Sequence, residues 1–137
     1  MRATMLLCDA AQETGGKLYI IGAGWSALLE PDTPTTQALA VVLHIEWTEA
    51  NSRHPIEIEL HTDDGEVWEP AEGQPLRMTT EVEVGRPPGV KPGTELNAPL
   101  AATFNGLVLP SGGYVWILRT GETLLARWPF SVGVPRQ

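Results

Sequence analysis

The chain has 137 residues, a length that suits one domain with a single hydrophobic core. Seventeen acidic and nine basic side chains give a formal charge of −8, which repels nucleic acid phosphates and anionic membrane headgroups. Cys8 is the only cysteine, which excludes an internal disulfide, and no apolar run approaches the roughly 18 residues of a membrane span. We therefore expect one cytoplasmic domain over residues 1–137, with neither a nucleic acid nor a membrane partner.

The N-terminal third contains one helix-capping pattern and two apolar segments. Asp9-Ala10-Ala11-Gln12 has the spacing of a capping box, which predicts a single helical turn before Gly15-Gly16. Residues 17–25 are apolar at both alternating positions, which is typical of a strand covered on both faces. Residues 38–47 begin in the same way, so we predict two buried strands here, with Trp47 in the core.

The clearest alternation of apolar and polar residues lies in the middle of the chain. Ile56, Ile58 and Leu60 alternate with polar residues, which predicts a half-buried strand whose outer face exposes Glu57, Glu59 and His61. Asp64-Gly65 predicts a hairpin turn after it. Residues 76–84 repeat the alternation and predict another half-buried strand. The prolines and glycines of residues 85–93 exclude helix and central strand, so we predict a loop that crosses an edge.

The C-terminal third predicts three further strands, at residues 96–105, 114–120 and 123–134. Turn sequences separate them, "LPSGG" at 109–113 and "TGE" at 120–122. No amphipathic helix of useful length is present. About eight or nine strands separated by regular turns predict an all-β fold, an antiparallel β-sandwich of the immunoglobulin-like or jelly-roll-like kind.

The segment "LYIIGAGWSA" contains a motif that points to a different fold. Gly22, Gly24 and Ala27 match the G-x-G-x-x-G/A spacing of a dinucleotide-binding turn, and Glu46 stands where a ribose-binding acid is expected. Such a turn must open a helix whose free N–H groups hold the pyrophosphate, but two prolines soon follow and end any helix after Gly24. We therefore interpret the glycines as strand positions closely approached by another backbone or a ring, and we predict no cofactor.

Three segments in order, "CDAAQETGGKLYIIGAGW", "EVGRPPGVKPGT" and "LPSGGYVW", resemble a small family of uncharacterised bacterial proteins, chiefly actinobacterial. The family opens with an acid-Ala-Ala-Gln stretch, followed by Gly-Lys-Leu-x-Ile and Gly-x-Gly-Trp, and the matching residues are Asp9, Gln12, Gly16, Lys17, Gly24 and Trp25. The resemblance covers most of the chain and implies a compact single domain. It carries over no activity, cofactor or site residue.

Few residues suggest chemistry. His44, His54 and His61 lie near acids such as Glu46 and Glu59, a combination able to hold a divalent ion, but no usual zinc spacing is present. A hydrolase would need His44 or His61 to meet a carboxylate in a cleft. We interpret the strand glutamates as solvated surface and Cys8 as a buried small side chain, because neighbouring Asp9 disfavours its thiolate. We predict no catalytic or metal-binding residue.

The tryptophans are the remaining candidates for binding. Trp47 and Trp116 fall on apolar faces of their predicted strands, so we expect both in the core. Trp68 lies on a short hairpin arm and Trp128 precedes Pro129, so these two are our candidate interaction residues, with core or edge packing as the alternative. The leading hypothesis is a non-catalytic structural or interaction module that self-associates through a sheet face or edge, or binds another protein. The alternative is a small-ligand or carbohydrate-binding domain that uses exposed tryptophans.

Overall fold

The computed structural model describes residues 1–133, and within them it contains nine β-strands, one 3₁₀ helix at Trp47–Glu49 and no α-helix. The strands are β1 (Arg2–Thr14), β2 (Lys17–Ala23), β3 (Ala27–Leu28), β4 (Thr35–Ile45), β5 (His54–Thr62), β6 (Arg77–Val82), β7 (Leu96–Leu107), β8 (Gly112–Thr120) and β9 (Thr123–Val132). No helix in this part of the chain is long and apolar enough to cross a membrane.

The strands form two sheets. Sheet A has four strands in the order β2-β1-β4-β7 and is antiparallel throughout. Sheet B has five strands in the order β3-β9-β8-β5-β6 and is antiparallel except for the short parallel pair β3–β9. The predicted all-β sandwich is therefore confirmed, and the hydrophobic core lies between the two sheets.

Successive side chains of a strand point to opposite faces of the sheet, and this alternation determines which residues enter the core. Every second residue of the central strands turns inward, and these side chains are almost completely buried, among them Leu39, Val41, Leu43, Ile56, Ile58, Leu60, Trp116 and Leu118. Gln37 is also completely buried, and its Oε1 accepts a 3.0 Å hydrogen bond from Nε1 of Trp116. This bond joins sheet A to sheet B inside the core. The predicted position of Trp116 in the core is confirmed.

The predicted helical turn at Asp9-Ala10-Ala11-Gln12 is wrong, because β1 continues as a strand through Thr14. Residues 10–14 pair with β2, and the hairpin closes at Gly15-Gly16, whose φ angles of +61° and +79° suit the two-residue turn that joins antiparallel strands. The strand ladder satisfies backbone groups that a single helical turn would leave without partners.

The predicted burial of residues 17–25 on both faces is also wrong. β2 is the edge strand of sheet A, it ends at Ala23, and most of its side chains are exposed. By contrast β4, predicted from the same kind of apolar run, is central in the sheet and buried on both faces. The two strands differ in burial because of their positions in the sheet, which the local sequence does not encode.

The glycines of the dinucleotide-like motif lie at the end of β2, with no helix after them in the described chain. Gly22 has a φ of +64°, and a Cβ at this position would collide with the carboxylate of Asp9. Gly24 has a φ of +94°, and its N–H donates a 2.8 Å hydrogen bond to the carbonyl of Leu7. The predicted approach of another backbone or a ring is therefore wrong, because a carboxylate lies beside Gly22 and a Cβ added at Gly24 would meet open space.

The hairpin of β1 and β2 covers part of the outer face of sheet A. Cys8, Ala38 and Ala40 form a second buried cluster there, and Ala11 and Leu18 pack against it. Burial raises the pKa of the Cys8 thiol, and the charge of Asp9 raises it further. Cys8 is thus a buried small side chain, as predicted, and its thiolate is disfavoured.

Trp47 is not a core residue, contrary to the prediction. β4 ends at Ile45, and Trp47 begins the 3₁₀ helix, where it is half-buried. The guanidinium of Arg86 lies 4.6 Å from the centre of its ring. The apolar run that includes Trp47 continues past the end of the strand, so the alternation no longer sets which way the side chain points.

Candidate interaction site

The most unusual surface of the molecule is a run of three exposed apolar side chains on β2, which we call the β2 edge patch. Tyr19 is 57% exposed, Ile20 is 38% exposed and Ile21 is 69% exposed. Single exposed apolar residues are ordinary, whereas a consecutive run in a strand marks an interaction site or an aggregation hazard. The β2 edge patch is therefore the best-supported candidate site.

The backbone beside this patch is also unpaired. β2 pairs with β1 on one side, and no strand within residues 1–133 pairs with its other side. Natural edge strands are blunted by charged side chains or proline, but residues 18–23 contain neither. An extended peptide segment that adds to this edge can therefore make backbone hydrogen bonds to the open N–H and C=O groups. It can also contact the apolar side chains.

β1 is longer than the ladder that it shares with β4. β1 pairs with β4 only from Arg2 to Cys8, but its pairing with β2 continues to Thr14. The distal part of the hairpin therefore extends beyond the ladder shared with β4. A shallow cavity of about 160 Å³ adjoins the patch, lined by Ala10, Ala11, Gln12, Tyr19 and Ile21. The apolar sequence of β2 predicts a buried strand, so the local pattern gives no signal for this site.

The structure places the two predicted interaction residues away from β2. Trp68 is half-buried and meets Tyr114 edge-to-face at 6.5 Å between ring centres. Trp128 is half-buried on β9, and its Nε1 donates a 2.9 Å hydrogen bond to the carbonyl of Trp25. Both rings pack against the main core. Their role in interaction stays a prediction.

Trp68 begins a row of four aromatic rings that ends at Trp25, whose carbonyl accepts the hydrogen bond from Trp128. Tyr114 stacks on Phe130 with 5.6 Å between ring centres, and Phe130 meets Trp25 edge-to-face at 6.0 Å. Burial raises the pKa of the Tyr114 hydroxyl, with smaller effects from Asp32 and Asp63. The hydroxyl donates a 2.7 Å hydrogen bond to the carbonyl of Pro110, which closes the turn before β8. The row of aromatic rings from Trp68 to Trp25 therefore stabilises the sandwich by packing.

The three histidines lie apart, each with its own partners. His44 Nε2 lies 2.8 Å from the Thr4 hydroxyl, and its Nδ1 lies 2.9 Å from the Asn97 side-chain oxygen. His54 Nε2 lies 2.7 Å from the carbonyl of Glu49. Within residues 1–133 no three His, Cys, Asp or Glu residues are arranged to hold a metal ion.

Glu59 is not on the solvated surface where the alternation predicts it, because only 1% of it is exposed. It lies on the outer face of sheet B, where neighbouring strands supply Arg77 on one side and Arg119 on the other. Its Oε2 accepts a 2.5 Å hydrogen bond from Arg77, and its Oε1 accepts one of 2.6 Å from Arg119. The long basic side chains cover a carboxylate that alternation alone assigns to solvent.

His61 completes this cluster, and its Nε2 lies 3.0 Å from Oε1 of Glu59. Burial acts to raise the pKa of Glu59, but hydrogen bonds from His61 and Arg77 and the charges of Arg119 and Arg77 outweigh it, so the pKa is lowered. A histidine does meet a carboxylate here, as the hydrolase hypothesis requires. However, a carboxylate with a low pKa and both oxygens bound by arginines is a weak general base, so the cluster favours a structural role.

Comparison with known proteins identifies a family for this chain but no activity. The model of a family of unknown function, DUF6941, matches residues 3–133, almost the whole chain. The chain belongs to this family. No curated protein matches it. The predicted resemblance to an uncharacterised family is thus confirmed, while the N-terminal signature and the actinobacterial distribution stay predictions. Membership of DUF6941 assigns no activity to the chain.

Proposed function

We propose that this protein is a non-catalytic β-sandwich interaction module that self-associates through the free edge of β2. The observation that carries the proposal is the β2 edge patch of Tyr19, Ile20 and Ile21, exposed beside an unpaired backbone edge. Sheet edges of this kind associate by adding a strand, in which main-chain hydrogen bonds provide affinity and side chains provide specificity.

Charge distribution favours a second copy of the chain as the occupant. Each copy carries a formal charge of −8, so two copies repel one another over most of their surfaces. Residues 18–29 contain no charged side chain. The β2 edge is therefore a place where two copies can approach with little electrostatic cost.

The sequence of β2 is also compatible with a two-fold axis. If two β2 strands pair antiparallel about Ile20, Tyr19 of each copy lies opposite Ile21 of the other. Aromatic and β-branched residues make favourable cross-strand pairs, each worth roughly 0.2–1 kcal/mol. The two four-stranded sheets A would then form one continuous sheet. Because the two-fold axis uses the β2 edge of both copies, the assembly would stop at a dimer.

We expect this association to be weak. β2 has only 7 residues, so its edge buries less surface than the roughly 1,200 Å² at the lower limit of stable interfaces. We therefore expect dissociation in the micromolar range and exchange between monomer and dimer. The aromatic residues Trp68 and Trp128 pack against the core, so they support the alternative, a small-ligand or carbohydrate site, less than β2 supports self-association.

The test is sedimentation equilibrium of the full chain from low to high micromolar concentration. We expect a dimer that dissociates on dilution, and a monomer at every concentration for Tyr19→Lys and Ile21→Lys. The matched control is Leu124→Lys, which places the same charge on another exposed apolar position, 53% exposed, at the start of β9.

The control should dimerise like the wild type. Circular dichroism and a cooperative urea transition establish that each variant is folded. A wild-type monomer at high micromolar concentration, or equal loss of dimer in Leu124→Lys and Ile21→Lys, would overturn the proposal.

A further inference from the structure

A second surface feature lies on the edge of sheet A opposite β2, near the end of β7. β7 is the outermost strand there, and no strand within residues 1–133 pairs with its outer side. Its register with β4 shifts between Thr35 and Gln37, where Asn105 and Gly106 together lie opposite Thr36. A bulge of this kind interrupts the ladder and leaves one residue unpaired. The sheet therefore holds these two residues less firmly than the rest of β7.

Asn105 and Gly106 form the one Asn-Gly pair of the sequence, and this pair has a chemistry of its own. The backbone nitrogen that follows an asparagine can attack the side-chain amide carbon and close a succinimide ring. A side chain on the attacking residue crowds its nitrogen, and glycine has none. The other two asparagines, Asn51 and Asn97, precede serine and alanine. Asn105 is therefore the asparagine whose neighbour is least obstructed.

The space around the pair is open. Asn105 and Gly106 are both exposed, and no described heavy atom outside the neighbouring residues lies within 4 Å of where a Cβ on Gly106 would stand. Gly106 has a φ of +67°, a region that glycine adopts without strain. Ring closure requires the Gly106 nitrogen to swing toward the Asn105 side chain. Little packing opposes this movement, and exposed, loosely paired segments open at small free-energy cost.

The side chain of Asn105 already accepts a hydrogen bond that assists attack. Thr36 Oγ1 donates a 3.3 Å hydrogen bond to Oδ1 of Asn105. When a nitrogen attacks the amide carbon, negative charge develops on this oxygen, and a donor placed there stabilises it. The bulge thus brings together the attacked carbonyl, its hydrogen-bond donor and the attacking nitrogen.

The two other asparagines are held more firmly and serve as internal references. Asn97 pairs with His44 in the β4–β7 ladder, and its Oδ1 lies 2.9 Å from His44 Nδ1. The residue after it is a buried alanine. The N–H of Asn51 donates a 2.7 Å hydrogen bond to the carbonyl of Val84, and a serine follows. Hydrogen bonding and a following side chain therefore oppose ring closure at both positions.

We propose that Asn105-Gly106 is a site of spontaneous deamidation, which converts Asn105 into aspartate and isoaspartate in the folded protein. The Gly106 nitrogen gives its proton to solvent base and bonds to Cγ of Asn105. The Cγ–Nδ2 bond then breaks, and the side-chain nitrogen takes a proton from water and leaves as ammonia. Water opens the resulting succinimide at either carbonyl, so the chain continues through the α- or the β-carboxyl group. No oxidant or reductant takes part.

The test is incubation of the full folded chain at physiological temperature in mildly alkaline buffer, beside a sample unfolded in urea. Ion exchange separates the products, which carry one further negative charge, and mass spectrometry of proteolytic peptides identifies the converted residue. In the folded chain we expect conversion of Asn105 at least about tenfold faster than that of Asn51 or Asn97. Asn105 in the folded chain should convert within about fivefold of its unfolded rate, since little structure has to open.

Variants separate the effect of the bulge from general asparagine chemistry. Gly106→Ala should slow conversion about tenfold or more, whereas Gly93→Ala, at another glycine with positive φ and open space, should leave it unchanged. Thr36→Val should slow conversion about twofold, because it removes the donor to Oδ1. Circular dichroism establishes that each variant is folded.

Three results would overturn the proposal. They are conversion of Asn105 more than about fivefold slower in the folded than in the unfolded chain, equal rates at all three asparagines, and equal rates in the two glycine variants. A Thr36→Val variant that converts as fast as the wild type would overturn the contribution of the hydroxyl.

Discussion

The Trp116 indole donates a 3.0 Å hydrogen bond to the Gln37 side chain across 79 residues of the sequence, between β8 of one sheet and β4 of the other. Both side chains are completely buried. The bond therefore sets the relative position of the two sheets with one directional contact inside an otherwise apolar core. Glutamine Nε2 has no partner within the described residues, so the glutamine contributes mainly through its oxygen.

Gln37→Met tests this contact, because methionine keeps the volume but cannot accept the indole hydrogen. We expect the free energy of unfolding to fall by less than the roughly 1–3 kcal/mol that a buried donor without an acceptor costs, because methionine also removes the unpartnered Nε2 of Gln37. Urea denaturation measures it. Trp116→Phe in the Gln37→Met background should cost less than the sum of the two single substitutions, since the second removes the unpaired donor. Costs of the two single substitutions that add up exactly in the double variant would show that the bond contributes nothing.

Glu59 should make the stability of the protein depend on pH in the acidic range. Its pKa in the folded state lies below the ordinary 4.5, so its ionised form stabilises the fold above that value. This contribution is lost as the pH falls through the folded-state pKa. We expect urea denaturation to show a steeper loss of stability below about pH 4.5 in the wild type than in Glu59→Gln.

Near neutral pH, Glu59→Gln should lower the free energy of unfolding by about 1–3 kcal/mol, because Arg77 and Arg119 lose their buried carboxylate and, among the described acids, keep only the half-buried Glu57, at 3.9 and 2.5 Å. Glu81→Gln is the matched control, since this glutamate is exposed on neighbouring β6. It should change stability by less than about 0.5 kcal/mol. If the two variants lose equal stability and show the same acid profile, Glu59 is not the stabilising centre of the cluster.

Self-association should be visible in the backbone of β2. In the proposed dimer the outward N–H groups of residues 18–21 become hydrogen-bonded, so their hydrogen exchange should slow as protein concentration rises. Exchange in central β4 should not change, because its amides are already paired on both sides. Ile21→Lys should abolish the concentration dependence. Concentration-dependent protection that appears elsewhere but not in β2 would place the interface on another surface.

Gly22 should resist substitution for two separable reasons. Its φ of +64° disfavours any side chain, and a Cβ would collide with the Asp9 carboxylate. Gly22→Ala should therefore cost more stability than Gly65→Ala, which has a φ of +83° and open space around it. We expect about 1 kcal/mol for Gly65→Ala and about 2–3 kcal/mol for Gly22→Ala in urea denaturation. Asp9→Ala should remove the excess at Gly22, and a persistent excess would contradict the collision.

The local pattern of the sequence was sufficient for the fold class. In β5 and β8 the alternation of side chains identified the buried residues Ile58, Leu60 and Trp116 correctly. The two prolines after Gly24 excluded a long helix there, and within residues 1–133 no α-helix forms. These features follow from the sequence because side-chain direction in a strand, and the conformations open to proline and glycine, depend on neighbouring residues alone.

The candidate interaction site depended on which strands became neighbours. β2 and β4 have similar apolar sequences, yet Val41 is completely buried and Ile21 is 69% exposed, because central β4 packs in the core between the sheets and β2 is the edge strand of sheet A. Glu59 became buried only when β6 and β8 brought Arg77 and Arg119 beside it. Strand order is decided by contacts between distant parts of the chain, so the exposed edge and the buried charge emerge only in the folded protein.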